Sequence, residues 1–209
     1  MRSVDPTVDV PAAVPDALDL YRQPSRLVQD KVIDRLDRHC RDFIALSPFA
    51  TLATADPQGW PDVSPRGGDP GFVHVLDEHR LVLPDRQGNN RIDSLRNVAG
   101  NPRVALLFFV PGIEETLRVF GTATLQPPDA VDLDLTEFGR PPRSVLVVDV
   151  DRAYFQCAKA VMRSGLWDPQ RRVERSAWAP FSEVLKDHCR LATPLPDDAT
   201  IRAELVEEL

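Results

Sequence analysis

The stretch that decides the fold covers residues 81–125 and reads LVLPDRQGNNRIDSLRNVAGNPRVALLFFVPGIEETLRVFGTATL. Its first residues, Leu81 to Leu83, predict a short strand that ends at Pro84. A polar loop follows, and Asn90 is a good N-cap for a helix after it. Asp93 stands three residues further on, in the manner of a capping box. The pattern therefore predicts a strand, a loop and a short helix.

Two further strands are predicted after this helix. Arg103 to Val110 is a nearly continuous apolar run, typical of a strand buried on both faces. Pro111 and Gly112 predict a turn. Glu115 to Leu125 then alternates apolar and polar residues, as a returning strand does.

Arg91 falls in the first turn of the predicted helix, where the helix dipole disfavours a positive charge. An anion held between the helix end and the guanidinium would explain this position. A guanidinium that simply points to water would explain it equally well. The sequence leaves both explanations open.

Composition narrows the classes of partner. The 209-residue chain has a formal net charge of −7. That balance argues against nucleic acid as the main partner, because binding a phosphate backbone needs a basic surface. The apolar run Val104 to Val110 is too short to cross a bilayer, and the N-terminal residues do not form a secretory signal, so no membrane partner is expected.

The cysteines and histidines predict neither a metal site nor disulfides. Cys40, Cys157 and Cys189 are odd in number and far apart in the sequence. No pair of them has metal-ligand spacing. A cytoplasmic protein with reduced thiols is the simplest interpretation.

The rest of the chain predicts one domain between two extensions: an N-terminal arm at residues 1–24, a domain at 25–190 and a C-terminal tail at 191–209. An amphipathic helix is predicted from Ser25 to Leu46. Further strands are predicted at 49–55, 61–65, 72–76, 80–83 and 143–156, and short helices at 127–138, 157–162 and 181–189. Six or seven strands in hairpin succession predict an antiparallel barrel with flanking helices, a mainly β, α+β fold.

Residues 49–125 resemble the pyridoxamine 5′-phosphate oxidase-like family of flavin-binding split β-barrels. Four segments carry the resemblance: FATLATADPQGWPDVSP, LVLPDRQGNNRIDSLRN, NPRVALLF and ETLRVFGTATL. A later segment, YFQCAKAVMRSGLWDP, resembles one in a bacterial subgroup of uncharacterised members that are expected to depend on FMN. The resemblance covers most of residues 40 to 170. It implies a homodimer with FMN in a groove at the interface.

The resemblance also implies a set of cofactor-binding residues: Ser64, Arg66, Gly67, Leu83, Pro84, Asp85, Asn89, Asn90, Arg91, Ser94, Arg118, Lys159, Arg163 and Trp167. The first three would line the phosphate and ribityl chain, and the next three would follow the ring edge. The four from Asn89 to Ser94 would belong to the phosphate loop. Arg118 would face the pyrimidine edge, and the last three would cover the flavin from the partner chain.

A homodimer is also expected on physical grounds. Val104 to Val110 and Val145 to Val150 are apolar at both alternating sets of positions, and one barrel has only one interior. The outer faces of these strands therefore need cover, which a two-fold interface would supply.

The expected function is that of a flavin-dependent oxidoreductase that transfers hydride to or from a small molecule. No catalytic side chain is identified, because the flavin ring itself carries the hydride. The C-terminal sequence PLPDDATIRAELVEEL lacks the Arg/His set that holds pyridoxal phosphate in the authentic oxidase, which argues against vitamin B6 oxidation. The alternatives are a flavin-binding or storage protein without enzyme activity, a deazaflavin- or haem-binding relative, and a structural module that binds another protein.

Overall fold

Residues 19–207 are described by the computed structural model. The chain divides into two compact units, Met1–Val32 and Ile33–Leu209. In the described part of the first unit there is one short helix, α1 (Arg26–Asp30). The predicted arm at residues 1–24 lies mostly outside the described residues, and the division into arm, domain and tail stays a prediction.

The second unit is built on a seven-stranded antiparallel sheet with the order β2-β1-β5-β6-β7-β4-β3. Its strands are β1 (Phe49–Ala55), β2 (Pro61–Gly67), β3 (His74–Val75), β4 (Arg80–Asp85), β5 (Arg103–Phe109), β6 (Thr116–Gln126) and β7 (Ser144–Gln156). Within residues 19–207 the edge strands β2 and β3 do not pair with each other, so the sheet is not closed. The predicted α+β, antiparallel split-barrel fold is confirmed.

Five helices flank the sheet in the described part of this unit: α2 (Arg38–Leu46), α3 (Asp93–Gly100), α4 (Lys159–Ser164), α5 (Phe181–Cys189) and α6 (Asp198–Glu207). Short 3-10 helices occur at Pro128–Ala130, Pro169–Arg171 and Arg175–Ala177. Nowhere in residues 19–207 is a helix both long enough and apolar enough to cross a membrane.

The prediction of one helix from Ser25 to Leu46 is wrong. Residues 31–37 are not helical, because the backbone of Ile33 pairs with Ala153 of β7 through hydrogen bonds of 3.0 and 2.8 Å. A new helix, α2, then starts where the carboxylate of Asp37 accepts a hydrogen bond from the backbone N–H of Cys40 at 2.9 Å. Side-chain periodicity continues through both helices, whereas the backbone hydrogen bonds do not.

Two hydrophobic clusters cover the two faces of the sheet. The main core joins the inward residues of the strands to α2 and α3, with Leu52, Leu106 and Leu146 almost fully buried. A second cluster lies on the other face of β4 and β7, where the loop 127–143 places Leu135 against Val82, Val145 and Val147. The loop therefore covers one outer face that was expected to need a partner.

The loop itself corrects a second prediction, since the helix expected at 127–138 is reduced to the 3-10 turn at Pro128–Ala130. The prediction that β5 is buried on both faces is wrong as well. Val104, Leu106 and Phe108 are buried, but Ala105, Leu107 and Phe109 alternate with them and are only half-buried. In the chain by itself, the outer face of β5 is partly open.

Candidate ligand-binding cavity

A cavity of about 620 Å³ lies where the ends of β2 and β4 meet the loop before α3 and the start of β7. The pairing of β4 with β7 creates this meeting point, because Asp85 at the end of β4 lies opposite Ser144 at the start of β7. The backbone N–H of Arg143 also donates to the carbonyl of Asp85 at 3.0 Å. Side chains from distant parts of the sequence thus share one opening.

Nine of the residues predicted to bind the cofactor line this cavity: Ser64, Arg66, Gly67, Pro84, Asp85, Asn89, Asn90, Arg91 and Ser94. They come from β2, β4, the loop before α3 and the first turn of α3. The structure therefore brings the predicted phosphate loop and the predicted β2 residues to one place.

The loop before α3 differs from its prediction. Asn90 has a φ of 58° and does not cap the helix. Instead α3 begins at Asp93, with Ile92 as an N-cap that makes no side-chain hydrogen bond. Asn tolerates the left-handed conformation better than most residues, which explains its place in this turn. The strand β4 also continues through Pro84 to Asp85, where it was expected to end.

Arg91 precedes the helix, so the dipole argument for an anion beside it no longer applies. Its Nε lies 2.6 Å from Oδ2 of Asp93, and its side chain is 80% exposed. The hydrogen bond to Asp93 raises the pKa of Arg91. Its charge is therefore already partly compensated by a neighbouring carboxylate.

Two other arginines of the cavity carry positive charge that no carboxylate pairs. Nη1 of Arg143 donates to Oδ1 of Asn90 at 2.6 Å, and Nη1 of Arg66 donates to Oγ of Ser64 at 2.6 Å. Among residues 19–207 neither guanidinium lies within ion-pair distance of a carboxylate. Burial lowers the pKa of Arg66, while Asp85 and Asp62 act in the opposite direction. Both arginines are thus oriented by neutral oxygens.

Asp85 is the acidic residue of the cavity wall itself. Burial raises its pKa, and the charges of Arg66 and Arg143 oppose that rise. A half-buried carboxyl near two guanidiniums makes the charge of this site depend on pH.

Arg86 also lines the cavity, but its charge is neutralised. Its Nη2 lies 3.0 Å from Oε2 of Glu137, and its Nη1 donates to the carbonyl of Arg140 at 3.3 Å. The Glu137 carboxylate also accepts the backbone N–H of Asp69. Burial lowers the pKa of nearby His74, and the charge of Arg86 lowers it further. Arg86 and Glu137 therefore fasten the loop 127–143 beside the cavity.

Ser94 is engaged within the protein. Its Oγ donates to Oδ2 of Asp62 at 2.9 Å, while Asn97 of the same helix donates to Oγ1 of Thr54 at 3.0 Å. These bonds join α3 to the β1–β2 hairpin. Ser94 thereby holds the wall of the cavity in place.

Five of the predicted residues lie elsewhere: Leu83, Arg118, Lys159, Arg163 and Trp167. Leu83 is buried in the main core, and Arg118 lies on the outer face of β6, where its Nη1 donates to the Tyr154 hydroxyl at 3.4 Å. The other three belong to the segment after β7, and Nε1 of Trp167 donates to the carbonyl of Ile113 at 2.8 Å. A role for these residues across a subunit interface stays a prediction.

Sequence reasoning missed Arg86, Arg143, Ser144 and Leu205, which also line the cavity. Arg143 was recognised only as the first residue of a strand. The partner of that strand was not readable, so its first residue could not be placed beside the loop before α3. Leu205 belongs to the segment that was expected to be a tail.

Within residues 19–207, no group of three or more His, Cys, Asp or Glu side chains could hold a metal ion. The free thiol of Cys40 is buried, and burial raises its pKa to about 12. It is therefore protonated near neutral pH and is not available as a nucleophile.

Several solved structures share the fold at low sequence identity. HupZ from Group A Streptococcus is 18% identical, with a TM-score of 0.48 over 58% of this chain and 99% of that chain. A putative pyridoxamine 5′-phosphate oxidase from Lactobacillus delbrueckii is 23% identical, with a TM-score of 0.41 over 58% and 99%. HutZ, the haem storage protein from Vibrio cholerae, is 19% identical, with a TM-score of 0.37 over 56% and 90%.

No curated protein matches the chain significantly. The family model described as pyridoxamine 5′-phosphate oxidase matches residues 36–157, which include every strand of the sheet and all but one of the residues that line the cavity. The chain is therefore a member of the pyridoxamine 5′-phosphate oxidase-like family.

Proposed function

We propose that the cavity binds FMN through its phosphate and that the protein is a flavin-dependent oxidoreductase acting on a small molecule. The observation that carries this proposal is the pair of arginines, Arg66 and Arg143, whose charges no described carboxylate neutralises. Guanidinium groups of this kind are well suited to a phosphate dianion.

The other lining residues fit the rest of such a ligand. The volume of about 620 Å³ lies in the range of cofactor and small-molecule sites. Phe72, Pro84 and Leu95 offer apolar surface, and the loop at residues 86–92 offers backbone N–H groups and amide side chains. The cavity thus combines a cationic part with an apolar part, as a phosphorylated aromatic cofactor requires.

Hydride transfer is the chemistry that FMN supplies when it is bound. The protein's own contribution would be to bind and orient. Arg66 and Arg143 would hold the phosphate, and Asn90 and Ser64 would fix the directions of those two guanidiniums. The apolar wall would keep water from the aromatic part.

Two alternatives use the same cavity. A flavin-binding or storage protein would hold FMN without turning over NAD(P)H, and a relative specific for deazaflavin would prefer that cofactor to FMN. Haem is less well supported, because none of the described residues that line the cavity is a His, Cys, Met or Tyr that could ligate iron.

We also propose that two subunits pair through the outer face of β1, β5 and β6. Leu107 and Phe109 are half-buried there, and Phe49 packs against Phe109 with a centroid distance of 6.0 Å. Arg118 and the stacked pair Phe120–Tyr154 continue the same face. A second copy would cover this apolar surface, and it would bring Arg118 to the interface where the family resemblance places it.

Comparison of FMN with riboflavin tests the proposal. The two ligands share the ring system, so a phosphate site predicts much tighter binding of FMN by the purified protein. Isothermal titration would give both constants, and the visible spectrum would identify any cofactor retained from cells. Equal affinities would contradict the phosphate assignment. Turnover of NAD(P)H by the FMN-loaded protein then separates an oxidoreductase from a storage protein.

A further inference from the structure

The helix α6 (Asp198–Glu207) lies outside the residues that the family model matches, yet it reaches the cavity. Leu205 is one of the lining residues. Further along the same helix, the carbonyl of Glu207 accepts a hydrogen bond from Nη2 of Arg140 at 2.8 Å. Arg140 belongs to the loop 127–143, and its own carbonyl accepts from Arg86, a residue of the cavity wall. The C-terminal end of α6 is therefore fastened beside the opening.

The N-terminal end of α6 is fastened separately by Asp198. Its carboxylate accepts hydrogen bonds from the backbone N–H groups of Phe181 and Ser182 at 3.0 and 3.1 Å. It also forms an ion pair of 2.7 Å with Nη2 of Arg175. The hydrogen bonds from Ser182 and Phe181 lower the pKa of Asp198, so the carboxylate stays charged at neutral pH.

Between these two attachments, no described residue of α6 is buried. Leu205 itself is 57% exposed. A segment with little buried apolar surface opens at a small cost in free energy, whereas the strands of the core do not. Helix α6 is thus held at its ends and lies loosely over the cavity between them.

We propose that α6 is a strap that closes the ligand cavity, with Leu205 as the side chain that contacts the apolar part of the ligand. The proposal rests on the proposed binding of FMN in this cavity. The strap would open for entry, pivoting near Asp198, and would close when Leu205 returns to the wall. It would slow release of the ligand and exclude water from its apolar part.

Leu205 and Val206 provide a matched pair for the test, because both are 57% exposed but only Leu205 lines the cavity. Replacement by Ala keeps high helix propensity in both cases. Two readouts are compared in the full-length protein: the rate of tryptic cleavage after Arg202 within α6 without ligand, measured by mass spectrometry, and the rate of FMN release, measured by stopped-flow fluorescence.

Leu205→Ala is expected to speed both processes about fivefold, since part of one apolar side-chain contact is lost. Val206→Ala is expected to change neither. Bound FMN should also protect Arg202 from cleavage in the wild-type protein more than in Leu205→Ala. Equal behaviour of the two variants in cleavage and release would overturn the strap, while FMN binding itself would still support the proposed function. Absence of FMN binding would contradict the proposed function, and cleavage would then decide by itself whether Leu205 fastens α6.

Discussion

Nη1 of Arg143 lies 2.6 Å from Oδ1 of Asn90, although 53 positions separate the two residues in the sequence. The bond joins the start of β7 to the left-handed turn before α3. It fixes the direction of a guanidinium that no described carboxylate pairs. The anion-binding part of the cavity is therefore organised before any ligand arrives, which reduces the entropy lost on binding.

Replacing Arg143 should weaken FMN binding more than replacing Arg91. Arg143→Ala removes a charge-assisted hydrogen bond worth about 1.5–3 kcal/mol, or about a ten- to hundredfold loss in affinity. Arg91→Ala is the matched control, because its guanidinium is exposed and already paired with Asp93. Isothermal titration of both variants with FMN measures the difference. The larger loss for Arg91 would place the phosphate on the exposed side of the loop instead.

Replacing Asp85 should change the pH dependence of stability. Burial raises its pKa, so the folded protein holds this proton more tightly than the unfolded chain. Stability therefore falls as pH rises from about 3.9, the unfolded value, through the raised folded value, and stays lower at neutral pH. Asp85→Asn should unfold at a higher temperature than wild type at pH 7, and the gain should shrink toward about pH 4.

Thermal unfolding at several pH values checks the Asp85 prediction. The exposed Asp132→Asn is a suitable control, and its difference from wild type should not follow the same pH course. A loss of stability in Asp85→Asn at pH 7 would mean that attraction to Arg66 and Arg143 outweighs the cost of burying the carboxylate.

Gly68 should not tolerate a side chain. A Cβ at this position would lie 2.6 Å from Oε1 of Glu137 and 2.7 Å from Cβ of Phe72. Gly68→Ala should thus displace the Arg86–Glu137 ion pair and lower the free energy of unfolding by about 1–3 kcal/mol. Gly88→Ala is the control, since a Cβ added there would have no atom within 4 Å. Urea unfolding compares the two, and similar losses would argue against a tight contact at Gly68.

The proposed dimer predicts that Leu107→Asp weakens association and FMN binding together. Leu107 lies on the outer face of β5 opposite Arg118 of β6, so a carboxylate there would enter the interface. Val173→Asp changes a residue that is 82% exposed outside the sheet and should have no effect. Sedimentation with and without FMN measures both properties. A wild-type monomer that binds FMN tightly at micromolar concentration would contradict the shared site.

Local patterns in the sequence predicted the strands well, because alternation and turn residues act within a few positions. They failed where the decisive partner is distant. Ile33 looks helical by periodicity, but its backbone pairs with Ala153. Asn90 suits both an N-cap and a left-handed turn, and only the contact with Arg143 distinguishes them. Leu205 could not be placed because nothing in its neighbourhood indicates where α6 packs.

The position of β7 between β6 and β4 has a consequence for how the protein is made. The hairpin of β3 and β4 joins the sheet only through β7, which is the last strand in the sequence. A nascent chain that has not yet exposed Ser144–Gln156 beyond the ribosome therefore holds two separate β ribbons. Such long-range pairing is slow compared with hairpin formation. The wall that contains both Asp85 and Arg143 is consequently completed late, and a cofactor can be captured only once the final strand has been inserted.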